Sequence, residues 1–141
     1  LYSEIPIFPV AQVNTFSKID GLTLPSGYNL ASFDPSGMSL VSKLNAKEAT
    51  NFPISALDQG VNFIEFTPPD GLDISSWNST GKTISGWDLS QVKGLNANHL
   101  NNASTITAIK VPSDFDFTGV DFNSKSLYGA NFANLVKTSC D

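Results

Sequence analysis

Apolar residues recur at the first, fourth and sixth positions of short β-prone runs along this chain, as in "ITAIKV", where they are Ile106, Ile109 and Val111. The same template fits Ile19, Leu22 and Leu24, then Val41, Leu44 and Ala46, and then Val61, Ile64 and Phe66. It continues through Ile84, Trp87 and Leu89 to Leu127, Ala130 and Phe132. Starts at 19, 41, 61, 84, 106 and 127 lie 20 to 23 residues apart. A sustained period of that length marks stacked units, each burying its apolar face against the next. The pattern therefore predicts six strand-bearing rungs over residues 19–141, with residues 1–18 as an N-terminal cap or arm.

Alternate rungs resemble each other more than neighbours do, which gives a double unit of about 43 residues. One type carries proline just after the strand, at Pro25, Pro68 and Pro112, where pairing must stop and the chain must turn. Leu30, Ile74 and Phe117 follow as inward residues. The other type carries "NFPISAL" (51–57) and "GLNANHL" (94–100). There Pro53 and Asn96 suit the start of a single helical turn, which Leu57 and Leu100 would close onto the core.

The L-x-x-L-x-L spacing across residues 19–132 resembles leucine-rich repeats, nearest to the irregular surface-protein type. A second resemblance, to pentapeptide repeats, covers "FDFTGVDFNSKSLYGANFANL", with Phe117, Phe122, Leu127 and Phe132 as the central residues. Val, Ile, Phe and Trp stand at many leucine positions, and the asparagine ladder of the standard repeat is missing. Both resemblances imply a mainly β chain built as a parallel β-solenoid, here of about six rungs with single helical turns in alternate ones. The leucine-rich-repeat family further implies right-handed winding and a ligand-binding strand face.

Composition narrows the partners. The 141 residues hold eight lysines, thirteen acids and no arginine, for a net charge of −5. Bidentate recognition of phosphate or guanine has no side chain to perform it, so nucleic acid is not an expected partner. The lysines are scattered, and no apolar run approaches the roughly 18 residues of a membrane-spanning helix, so membrane insertion is not expected. One cysteine, Cys140, excludes an internal disulfide framework. The chain opens at Leu1 with no signal-like segment, and its last rung has an unfinished return leg. Both features suggest a segment of a longer chain, with self-association possible through uncapped ends.

On the proposed strand face, the fifth position of each rung forms a polar ladder of Thr23, Asn45, Glu65, Asp88, Lys110 and Asn131. Phe63, at the third position, would be its exposed aromatic anchor. Asp114, Asp116 and Asp121 form the densest acidic group; without an EF-hand or glycine-rich loop they read as turn caps rather than metal ligands. His99, the only histidine, has no neighbouring acid or cysteine and reads as a surface or capping residue. Trp77 and Trp87 read as core, and Asn78 and Asn102 head N-x-S/T sequons.

No catalytic constellation, metal site or cofactor motif is found. The expected function is a noncatalytic recognition or structural module that meets a protein or glycan surface. Its expected setting is an extracellular, cell-surface or virion assembly, such as a phage tail or capsid decoration. Two alternatives remain. One is a glycan-active hydrolase using paired acids such as Glu65 with Asp88, or Asp114 with Asp116. The other is a secreted effector that binds a host protein.

Overall fold

A computed structural model describes residues 9–58 and 61–121. The chain is mainly β, built on one five-stranded, all-parallel sheet whose strands lie side by side in chain order. The strands are β1 (Ile19–Thr23), β2 (Leu40–Asn45), β3 (Asn62–Ile64), β4 (Thr83–Ser85) and β5 (Thr105–Thr107). Among the described residues, helix is confined to α1 (Val10–Val13), a 3-10 turn at Ile54–Asp58 and α2 (Ala97–Asn102). The sixth expected rung, at Leu127, Ala130 and Phe132, lies outside the described residues.

Register follows the apolar template. Ile19 pairs with Val41, Val41 with Phe63 and Ile84 with Ile106, while Ile64 opposite Ser85 sets Phe63 beside Ile84. This first row is buried throughout. Leu22, Leu44, Phe66, Trp87 and Ile109 make the second row, and Leu24, Ala46, Pro68, Leu89 and Val111 the third. Apart from half-buried Leu22, both of these rows are buried. Each large apolar side chain so removed from water contributes about 1.5 to 3 kcal/mol.

The third rung corrects the sequence reading. Its inward residues are Phe63, Phe66 and Pro68, not Val61, Ile64 and Phe66. The run "VNFIEF" is apolar at both candidate phases, and pairing at a 22-residue step from Val41 selects the later one. Phe63 is consequently 2% exposed, a core residue rather than a surface anchor.

Between the first and second inward positions, each of the five described strand repeats carries a residue in the left-handed region. These are Gly21 (φ 82), Lys43 (57), Glu65 (51), Gly86 (72) and Ala108 (55). The left-handed residue bends each strand, so that positions three apart, rather than two, both face inward. A strict period of two would have sent the second residue outward.

The double unit is visible in the turns. Tyr28 N donates to Pro25 O (3.1 Å), Leu72 N to Pro69 O (3.1 Å) and Phe115 N to Pro112 O (3.0 Å), so Pro69 and not Pro68 is the counterpart of the other two prolines. Five residues further on, the same turn closes from Phe33 to Leu30, Trp77 to Ile74 and Val120 to Phe117. The helical turns obey the same spacing: Gln12 N donates to Pro9 O, Ala56 N to Pro53 O and His99 N to Asn96 O. Val13, Leu57 and Leu100 close these three turns onto the core. The described part of the expected N-terminal arm, from Pro9 onward, is therefore in phase with the repeat.

Candidate functional site

The surface ladder forms where the strands continue past the left-handed bend. Thr23 pairs with Asn45, Asn45 with Thr67 and Asp88 with Lys110, all in parallel register. Asp88 N donates to Phe66 O (3.0 Å), which places Thr67 and Asp88 in adjoining rungs of one row. The ladder is thus Thr23, Asn45, Thr67, Asp88 and Lys110. Glu65 falls two positions earlier, on the left-handed bend, so it does not share a row with Asp88. Asn131 lies outside the described residues.

Thr23 and Lys110 are exposed, and Asn45, Thr67 and Asp88 are half-buried. Two of these side chains also hold the backbone. Asn45 Oδ1 accepts the Lys47 amide (3.0 Å), and Asp88 Oδ1 accepts the Ser90 amide (3.1 Å) and hydroxyl (2.6 Å). Lys110 Nζ stands 4.0 Å from Asp88 Oδ2. A tighter pair lies beside the row, Lys47 Nζ to Asp70 at 2.8 and 3.0 Å, and its hydrogen bond raises the Lys47 ammonium above its usual pKa. Exposed pairs of this kind contribute little to stability, because solvent and salt screen them.

Glu65 projects over the next rung. A Cβ at position 86 would stand 2.9 Å from Glu65 Cγ, so Gly86 is the residue that lets this side chain lie across its neighbour. Sequence reasoning missed Thr67 and the Lys47–Asp70 pair. The signal that finds Thr67 is the constant 22-residue step from Thr23 to Asn45 to Thr67.

The aspartates are turn caps where their contacts are seen. Asp116 Oδ1 accepts the Thr118 amide (2.9 Å), as Asp34 does from Ser36 (3.0 Å) and Asp73 from Ser75 (2.9 Å). These bonds stabilise the charged form and hold all three carboxyls below the usual carboxylate pKa. Asp114 is exposed, and the Asp121 amide donates to Asn101 Oδ1 (2.8 Å). Among the described residues, no group of three or more His, Cys, Asp or Glu is placed to hold a metal ion. Nor is any helix among them long and apolar enough to cross a membrane.

His99 is a capping residue but not a surface one, being 4% exposed. Its Nδ1 accepts the Asn96 amide (3.1 Å), so the proton sits on Nε2, which meets Trp77 O (3.1 Å). Asn96 Oδ1 in turn accepts from Asn98 N (2.9 Å) and from His99 N (3.4 Å), the latter completing a capping box in which histidine takes the usual glutamate position. Burial pushes the His99 imidazole below its usual pKa, against the pull of the Trp77 and Ile74 carbonyls. The ring stacks on Trp77, which stacks on Trp87. Both tryptophans are buried, as expected of core residues, while Asn78 and Asn102 are exposed.

Comparison with known proteins gives no match: no family model, no curated protein and no solved structure matches the chain.

Proposed function

We propose that the chain is a parallel β-solenoid of about six rungs, leucine-rich-repeat-like in spacing, and that it serves as a noncatalytic recognition or structural module. Its partner is a protein or glycan surface, in an extracellular, cell-surface or virion assembly. The observation that carries this reading is the in-register row Thr23, Asn45, Thr67, Asp88 and Lys110. One polar side chain per rung at a spacing of about 4.8 Å offers a regular array that a repetitive or extended partner can match. Backbone hydrogen bonds between residues about 22 apart, from Ser17–Ser39 to Lys82–Ser104, support the wound path.

The test uses the full chain immobilised against glycan and protein panels, with Thr67→Arg and Lys110→Glu as paired variants. Both positions lie outside the buried rows, so the β signature in circular dichroism should persist. Capture of a partner that is lost in the double variant is the expected result. Capture that ignores both changes would overturn the ladder as the binding face. Turnover of a glycan by the native chain would overturn the noncatalytic reading.

A further inference from the structure

The three helical turns share one geometry and differ in what starts them. Pro9 and Pro53 open the first two, and neither has an N–H to satisfy. Asn96 opens the third, so its amide needs an acceptor, and His99 Nδ1 supplies one at 3.1 Å. At the place of His99 the other two turns carry exposed Gln12 and buried Ala56. The exchange of proline for asparagine is thus matched by a histidine whose ring answers the new N–H.

The partners of the two ring nitrogens are fixed and opposite. The Asn96 amide can only donate and Trp77 O can only accept, so both bonds form with one neutral tautomer alone. A proton added at Nδ1 would set two N–H groups against each other. The ring is 4% exposed, so it takes up that proton only when the turn opens. The charged residues on the elements packed around it are Asp73, Lys82, Lys93, Asp114, Asp116 and Asp121, of which Lys82 is half-buried and the others exposed. None of them bonds the ring. Burial, not a neighbouring charge, opposes the imidazolium.

The same turn holds the rungs on either side. Ser79 Oγ donates to His99 O (2.7 Å) from the rung before. Toward the rung after, Asn101 Nδ2 donates to Gly119 O (2.9 Å) and Asn101 Oδ1 accepts the Asp121 amide (2.8 Å). The first turn makes an identical clamp, from Asn14 to Ser32 O (2.9 Å) and the Asp34 amide (2.8 Å), but has no titratable side chain. One clamp depends on the protonation of its turn. The other does not.

We propose that α2 is an acid-released latch: protonation of His99 opens the turn and frees residues 117–121 from Asn101, while the clamp at Asn14 stays shut. Above about pH 6.5 the latch is closed. Below that value the open form binds a proton that the closed form refuses, and opening grows by up to about tenfold per pH unit until the closed ring titrates as well.

Native-state amide exchange of the ¹⁵N-labelled full chain at pH 7 and pH 5.5 is the test, read as protection factors so that the intrinsic pH dependence of exchange cancels. Protection of the Ala103 and Asp121 amides should fall by about fivefold between the two, and that of the Asp34 amide should hold. In His99→Gln, whose carboxamide keeps an acceptor for the Asn96 amide, the fall should vanish. Equal losses at Asp34 and Asp121 would mean that the whole fold weakens, and would overturn the latch. So would a fall that persists in His99→Gln. In the native chain, an imidazole that titrates at its ordinary pH near 6.5 while Asp121 stays protected would overturn it without recourse to a variant.

Discussion

Ala108 carries a cost that its counterparts at Gly21 and Gly86 avoid, since a Cβ in the left-handed region crowds its own backbone. Relief of that strain exceeds the extra chain entropy of glycine, so Ala108→Gly should stabilise the fold by about 0.5 kcal/mol. A thermal midpoint raised by a degree or more would show it; an unchanged or lowered midpoint would refute the strain argument. Gly94 is the opposite case. A Cβ there would stand 2.7 Å from Asp73 Oδ1 and 2.8 Å from Ser75 N, at φ +82, so neither the backbone nor its neighbours can give way cheaply. Gly94→Ala should cost about 2 kcal/mol or more in urea unfolding, the order of a strained backbone combined with overpacking. Such left-handed positions are invisible in the sequence when the residue is Lys43 or Glu65, because neither type announces a positive φ.

The α2 turn has too few residues to be stable by itself, and its capping box supplies what propensity cannot. Asn96→Ala should therefore lower stability by about 1 kcal/mol. The histidine makes the cap sensitive to pH. Because the folded pKa of His99 is depressed, the unfolded chain binds the proton more readily. The contribution of His99 is complete above the ordinary value of about 6.5 and is lost as pH falls through that value toward the folded one. Asp34, Asp73 and Asp116 act in a separate window. Their depressed carboxyls stabilise the fold above about pH 4 and lose that contribution as pH falls further. Unfolding midpoints measured from pH 7 to pH 5 should fall in the native chain and remain flatter in His99→Gln; identical profiles would show that the imidazole does not titrate across this step. The sequence identified Asn96 as the start of this turn from residue type alone. It placed His99 less well, because the stacking that buries the ring comes from Trp77, 22 residues away.

Across the whole molecule, the apolar period was legible because every rung must present the same inward face to its neighbours. The third rung resisted reading because "VNFIEF" satisfies two phases, and only pairing with Val41 decides between them. That one slip displaced Phe63 from core to surface and put Glu65 in the place of Thr67. Rings run through the core from Phe33 to Phe52, Phe66, Trp87, Trp77 and His99, with centroids 5.4 to 6.0 Å apart. Phe66 is the junction of this chain, touching Phe52, Phe63 and Trp87, and it is fully buried. Phe66→Ala should cost about 3 to 5 kcal/mol, a large share of the stability of a domain this size. A urea midpoint that barely moves would mean that the rungs on either side hold independently.

The turns at Pro9, Pro53 and Asn96 recur 44 and then 43 residues apart, each in the same hydrogen-bonded setting. Phe52 and Leu95 therefore precede equivalent turns. Excising residues 53–95 would join Phe52 to Asn96 and carry the next strand into the place that β3 now fills. A block of 43 or 44 residues is accordingly the step by which such a chain would lengthen or shorten with its turns kept in phase.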